Sequence, residues 1–335
     1  MSFDFKKVEF EHVECIICHS KNGLHRLLST PDRINKLPGI FHLVKCEKCG
    51  LVFQNPRPME KYIGLYYPES MGYFNPIEKE SSIITKLIEK EVLINYYDYK
   101  NLGEKNIINK IIFYPAYIYL YKHRSLPKYR INGRILEIGC SNGIKLKKLK
   151  DIGWDTKGIE PSCKASEDAR NNKGLDVETG SIFDFDFPEK SFDVIILDMV
   201  LEHLYNPHKA LKKISKWLRP DGQLIFSIPY FNGVEYKFFK KYSYGLQLPN
   251  HITFFNKNSI SRLLKKDFKK ISYSFHHFDR DIIASSHYKY EETGSRLYKF
   301  IAQNKLFRWS AIKPFVLLLS FLGKTSRVTI FAIKK

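Results

Sequence analysis

The chain has 335 residues, 44% apolar and 27% charged, and carries 55 Lys plus Arg against 35 Asp plus Glu, a net charge of +20. That is the balance of a globular protein of about two domains, and it excludes a disordered tail, a collagen-like fibre and a disulfide-dense miniprotein. No apolar run approaches the ~20 residues a helix needs to span a bilayer: Ile107–Tyr121 is interrupted by Asn109, Lys110 and Pro115, and Phe315–Leu322 is too short.

Residues 1–10 mix acids, lysines and aromatics without a hydrophobic stretch, so no signal peptide is expected and a cytoplasmic location is the default. The positive charge favours an anionic partner, whether nucleic acid, a phosphorylated substrate or an anionic membrane surface. The lysines, however, fall in scattered pairs such as Lys147-Lys148, Lys212-Lys213 and Lys265-Lys266. No dedicated nucleic-acid site is expected from that pattern.

Four of the six cysteines form two identical spacings, Cys15-Ile-Ile-Cys18 and Cys46-Glu-Lys-Cys49. A C-x-x-C pair turns two thiolates onto one ion, and two pairs supply the tetrahedral sulfur shell that zinc prefers. With all four ligands Cys, no coordination position is left for chemistry, so the expected role is structural. Gly50 follows the second pair where a residue tolerant of positive φ is needed. Cys140 and Cys163 are expected to be small buried residues and not ligands. Residues 1–60 are expected to be the zinc-binding module, closed by Pro56-Arg57-Pro58, and 61–130 a helical, Tyr-rich connector in which Ile83–Ile94 is the clearest amphipathic stretch.

From Ile131 the texture changes to short apolar runs alternating with helical patterns. Arg134–Ile138, Thr156–Ile159, Phe192–Asp198 and Gln223–Ile228 are expected strands; Ile144–Lys150, Cys163–Asn171 and His208–Leu218 are expected helices. Such alternation means βαβ units and a doubly wound, Rossmann-like α/β sheet. A helix at Asn258–Lys266, a strand at Phe268–Phe275, a helical insertion over about 278–327 and a last strand at Val328–Ile333 complete a domain spanning 131–335.

The first of these strands runs into Glu137-Ile138-Gly139-Cys140-Ser141-Asn142-Gly143, and the second ends at Glu160, placed to accept from both hydroxyls of a ribose. A nicotinamide dinucleotide fingerprint wants glycines where Ser141 and Ile144 stand. A turn with few glycines and a preceding acid suits a ligand without pyrophosphate and with a positively charged amino-acid end, namely S-adenosylmethionine.

The run Arg134 to about Lys270, roughly 40% of the chain, resembles class I S-adenosylmethionine-dependent methyltransferases. The motifs that carry the resemblance are ILEIGCSNG (135–143), GWDTKGIEPS (153–162), FDVIILDMVLEHL (192–204), LRPDGQLIFSIPY (218–230) and LPNHITFFN (248–256). With the double C-x-x-C in front, the whole is similar to bacterial methyltransferases of sugar and surface-polysaccharide pathways. The resemblance implies that Glu137, Gly139, Ser141 and Gly143 hold the methionine end of the cofactor, Glu160 its ribose, and Ser181 and Ile182 border its adenine, with Asp184 or a backbone carbonyl standing in for an acid often found at position 181.

Methyl transfer from a sulfonium is an in-line displacement in which alignment is the main contribution, and a hydroxyl acceptor also needs a base. Asp198, His203 and His251 are the candidates, because each falls at the carboxyl end of a strand or in the loop that follows. His251, in the loop after the fifth strand, is the foremost of them. The expected acceptor is a small molecule, a free, nucleotide-linked or lipid-linked sugar. A nucleic-acid-directed methyltransferase and a non-catalytic cofactor-binding scaffold are the alternatives. Lys110–Tyr121 and Lys313–Leu322 pair apolar faces with flanking cations, as segments in peripheral contact with the inner face of a membrane do, or as apolar helices packed on each other or on the sheet do.

Overall fold

Arg134–Ile138 and Phe192–Asp198 are almost wholly apolar, as strands covered on both faces must be, and they lie side by side at the centre of a seven-stranded sheet. The computed structural model describes residues 5–68, 82–122 and 124–335. Its strands, in chain order, are β1 (Phe10–Glu11), β2 (Leu24–Pro31), β3 (Ile40–Cys46), β4 (Val52–Gln54), β5 (Arg57–Pro58), β6 (Arg134–Ile138), β7 (Asp155–Glu160), β8 (Asp176–Thr179), β9 (Phe192–Asp198), β10 (Leu218–Pro229), β11 (Thr253–Phe254), β12 (Phe268–Phe275) and β13 (Arg327–Lys334).

The large sheet has the order β12-β13-β10-β9-β6-β7-β8. The five strands β8, β7, β6, β9 and β10 are parallel, and β13 enters antiparallel between β10 and β12. This is a doubly wound, Rossmann-like α/β fold. The helices lie over both faces because the side chains alternate. Leu136, Ile195, Leu197 and Phe226 pack with Ala210, Leu211, Ile214 and Trp217 of helix Pro207–Trp217. Ile135, Val194, Ile196 and Ile225 point the other way, onto Leu149, Trp154 and the C-terminal half of helix Ile83–Tyr97.

The expected strands and helices occur, with shifted ends. β10 begins at Leu218, because Pro220-Asp221-Gly222, which reads as a turn, is accommodated as an irregularity between Leu218 and Gln223. Cys163 is exposed and not buried. It opens helix Cys163–Lys173 just after the N-cap Ser162, whose hydroxyl accepts from the Ala165 N–H, and the buried side of that helix is carried by Ala165, Ser166 and Ala169. Between β12 and β13 the chain forms helices Arg280–Thr293, Arg296–Gln303 and Lys313–Phe321. The buried pair Arg327–Asp281, 3.0 Å apart, ties the first of them to β13.

The cysteine-bearing strands make a second, antiparallel sheet of order β11-β4-β3-β2. Its β11 comes from the loop that follows β10. Thr253 pairs with Phe53 and Phe254 with Val52, and the Gln54 N–H donates to the Ile252 carbonyl at 2.9 Å. Cys15, Cys46, Cys49, Leu51 and Phe53 consequently share one apolar cluster with Leu197, Phe226 and Ile228 of the large sheet.

Phe254 is fully buried in the cluster that also holds Phe41, Leu43, Val52, Tyr236 and Leu246. Phe254→Ala is expected to destabilise the chain by about 3–5 kcal/mol, read as a lowered urea midpoint. A loss below about 1 kcal/mol would show that the two sheets do not depend on this junction.

Candidate active site

The turn after β6 passes through three left-handed residues, Gly139 (φ 72°), Ser141 (φ 51°) and Gly143 (φ 76°). At Gly139 a Cβ would also run into the Val200 side chain, so this position needs glycine twice over. Ser141 tolerates its φ because its N–H donates to one Glu160 oxygen at 2.8 Å. The other Glu160 oxygen accepts from the Ser162 N–H at 2.9 Å. Glu160 thus ties the turn after β6 to the turn after β7. Its burial raises the carboxyl pKa, and the two N–H donors oppose that shift.

Further along this edge, Ile182 is buried and Ser181 is held locally. The Ser181 N–H donates to Asp184 at 2.7 Å, and its hydroxyl accepts from the Phe183 N–H. One Asp184 oxygen is therefore used in closing this turn.

Glu137, Asp198 and Lys145 meet beneath the turn. Burial pushes the Glu137 carboxyl up to about 7, against the pull of the Lys145 ammonium 3.7 Å away. Lys145 also hydrogen-bonds Asp198, which accepts in addition from the Ser125 hydroxyl and, at 2.7 Å, from the Ser227 hydroxyl. Burial pushes Asp198 up, but the Lys145 charge and the three donors outweigh it and hold the carboxyl below its ordinary value. Asp198 is therefore a well-satisfied anion, which makes it a positioning group and a weak base.

A second cluster gathers Glu202, His203 and His251, with donor atoms within 4.8 Å of one another. His251 is 1% exposed. Its Nδ1–H donates to the Gly245 carbonyl at 2.9 Å, so its other nitrogen, Nε2, lies 3.9 Å from Glu202. His203 Nδ1 lies 2.8 Å from both the Tyr67 hydroxyl and the Asn250 carbonyl. Burial lowers both imidazoles, His203 to about 4 and His251 well below its ordinary value. Both are neutral near pH 7. Glu202 is fully buried, neither of its oxygens has a hydrogen-bond partner among the described residues, and burial pushes it up to about 8.

A cleft of about 1280 Å³ opens at the carboxyl end of the sheet, lined at depth by Ser125, Lys145, Asp198, Met199, Ser227 and His276. Asp198 lines it; His203 and His251 do not. The structure thus separates the three base candidates into a cleft group and a cluster under the β10–β11 loop. Lys145, Ser125, Ser227, Glu202 and Tyr67 were not singled out by the sequence. Lys145 stands two residues after Gly143 and Glu202 directly precedes His203, so both were within reach. Ser125 and Tyr67 arrive from 73 and 136 residues away, with no local signal.

The four cysteines of the N-terminal module converge, with sulfurs 3.4 Å apart for Cys15 and Cys49, 3.6 Å for Cys18 and Cys46, and all within 4.8 Å. A tetrahedral ion with sulfurs at ~2.3 Å sets its ligands about 3.8 Å apart, so the donor set fits zinc. Each knuckle closes the same way: the N–H of His19 returns to the Cys15 carbonyl and that of Gly50 to the Cys46 carbonyl, both at 2.8 Å, and both residues are left-handed.

Residues 114–268 match the family model described as a methyltransferase domain. The chain is 35% identical over 107 residues to an uncharacterised methyltransferase of Staphylococcus carnosus, covering 31% of this chain and 51% of that protein. It is 31% identical over 102 residues to a ubiquinone biosynthesis O-methyltransferase of Neisseria meningitidis, covering 28% and 43%. The chain thus spans about half or less of these relatives. Among solved structures, an S-adenosylmethionine-dependent methyltransferase of Mesorhizobium loti aligns at TM-score 0.41 and 13% identity, covering 62% of this chain and 94% of that one.

Glu202 supplies a pH test of this geometry. A carboxyl held at about 8 in the folded chain and near ~4.3 when unfolded binds more protons folded, so its contribution to stability falls as pH rises from about 5 through 8. Glu202→Gln is expected to gain thermal stability relative to the parent as pH rises from about 5 to 8. A difference in melting temperature that does not change with pH would show that Glu202 is already ionised when folded.

Proposed function

We propose that the protein transfers a methyl group from S-adenosylmethionine to a hydroxyl of a small-molecule acceptor, a sugar or polysaccharide precursor. The observation that carries the reading is the Glu160-tied turn 139–143 beside Glu137, Lys145 and Asp198, within the segment matched to the methyltransferase domain. The cofactor supplies an electrophilic methyl on a sulfonium. Glu160 would accept from its ribose, Gly139, Ser141 and Gly143 would cradle the methionine end, and Ser181 and Ile182 would border the adenine. Two carboxylates and one ammonium, Glu137, Asp198 and Lys145, match in sign the ammonium and carboxylate of a free amino-acid end.

Oxygen as the accepting atom is supported by the O-methyltransferases among the relatives. The sugar rests on the resemblance of the double C-x-x-C arrangement. His251, with His203 beside it, is assigned the acceptor proton: both imidazoles are neutral, burial makes them weaker bases than a free imidazole, and the acceptor must reach past the cleft lining to meet them. Because burial lowers both, the acid limb of the rate profile belongs below the ordinary imidazole range of about 6.5. Cys15, Cys18, Cys46 and Cys49 hold a structural zinc in this reading.

Titration calorimetry with S-adenosylmethionine is expected to show binding, and Glu160→Ala to weaken it by roughly 2–3 kcal/mol. Binding of a nicotinamide dinucleotide with no response to S-adenosylmethionine would refute the reading. His251→Ala is expected to lower turnover by roughly 10²–10⁴-fold with little change in cofactor affinity. Near-normal turnover in His251→Ala and loss in His203→Ala would move the base to His203.

Elemental analysis is expected to return one zinc per chain. Cys46→Ser is expected to lose it and to open the N-terminal module to protease. Well under one zinc, with all four thiols titrating in the native protein, would remove the metal from the account.

A further inference from the structure

We propose that the protein docks on an anionic lipid bilayer through two acid-free apolar segments that adjoin at the mouth of the cleft. The first is helix Ile107–Ile112 with the turns that follow to Tyr121. Ile107, Ile108, Ile111 and Ile112 on it are 61–70% exposed. The second is the helical run 305–321, where Leu306 is 79%, Trp309 64%, Leu318 56% and Phe321 59% exposed. Apolar residues scattered singly over a surface are ordinary, whereas grouped ones mark a contact.

The two segments are neighbours. The Lys122 ammonium lies 5.9 Å from the Phe321 ring, and Ile118 lines one small cavity with Leu317 and Phe321. Tyr119, Leu120 and Lys313 also line the large cleft, so the apolar surface is continuous with its rim.

Charge selects the occupant. No acidic residue occurs between Glu104 and Glu137, a stretch with seven Lys and Arg, and none follows Glu292, after which there are nine. Acids of other elements pair with five of the seven, Lys105, Arg124, Lys128, Arg130 and Arg134, and with Arg308 and Arg327 of the nine, so the cations that bear on a partner are Lys110, Lys122, Lys305 and Lys313. A second copy of this chain seated on a two-fold axis would bring these like charges against each other. An anionic bilayer answers both properties at once, taking the isoleucines, leucines and Trp309 into its interfacial layer and the lysines at its headgroups. Lys313, 3.1 Å from the Trp309 ring centroid, pairs the two features in one contact. Among the described residues no helix is long and apolar enough to cross a membrane, so the segments lie on the surface. An acceptor carried on a lipid would then reach the cleft from the membrane side.

The test uses the full chain with vesicles of phosphatidylcholine alone and of phosphatidylcholine mixed with phosphatidylglycerol, read by sedimentation and by tryptophan emission. Trp154 and Trp217 are 3% and 2% exposed, so a blue shift reports on Trp309. The expected result is sedimentation and a blue shift with the mixed vesicles at low salt, both several-fold weaker at high salt and on phosphatidylcholine alone. Ile108→Asp with Ile111→Asp, and separately Trp309→Ala with Leu318→Asp, are expected to cut the bound fraction about tenfold while circular dichroism stays unchanged. All four side chains are exposed, so folding does not rely on them.

Absence of sedimentation by the folded protein at low salt overturns the proposal, as does unaltered binding by both variants. A lipid-free dimer that blue-shifts Trp309 and ignores vesicles also overturns it, assigning the face to a second copy. Calorimetry with S-adenosylmethionine on the same samples, without lipid, tests the methyl-transfer reading separately.

Discussion

The pairing of β4 with β11 is the constraint on which the rest of the molecule depends. It is a two-residue ladder, yet it joins the strand after the second cysteine knuckle to the loop that carries His251. Asn256 and Asn258 extend the junction by donating to the carbonyls of Gly50 and Cys49, at 2.6 and 3.0 Å. An ion bound by the four sulfurs would stiffen the knuckle, and through these bonds the loop that places His251. The N-terminal module is thereby tied to the loop after β10 and is not an appendage to the large sheet.

A second theme is how burial and pairing divide the acids. Glu137, Asp198 and Glu202 all lie at or near the carboxyl ends of β6 and β9. Asp198 alone has enough donors to stay anionic below its ordinary range, because Lys145, Ser125 and Ser227 converge on it. Glu137 shares one ammonium with it and is raised; Glu202 has no hydrogen-bond partner among the described residues and is raised further. Carboxyls pushed apart in this way divide into proton holders and charge holders.

Much of the fold was legible because it is written in short periods. Short, mostly apolar runs marked β6, β9 and β10, and Gly139, Ser141 and Gly143 marked the turn. The double C-x-x-C marked the sulfur cluster. What could not be read came from long range. The pairing of Thr253–Phe254 with a strand 200 residues earlier has no sequence period, nor do the arrivals of Ser125 at Asp198 and Tyr67 at His203. Cys163 misled because small residues are usually buried, whereas its place at the first turn of an amphipathic helix turns it outward. β10 starts five residues before the expected Gln223 because Pro220-Asp221-Gly222 is taken up in a strand irregularity that no local period announces.

Glu160 carries a consequence for selectivity. Each carboxylate oxygen has about two lone-pair directions, and the N–H groups of Ser141 and Ser162 take one on each. What remains is one acceptor site per oxygen, a matched pair for two neighbouring hydroxyls. A vicinal diol satisfies that pair completely, while a deoxy sugar leaves one buried acceptor unanswered. With a ribose bound there as proposed, the same two N–H donors would make Glu160 a counter of its hydroxyls.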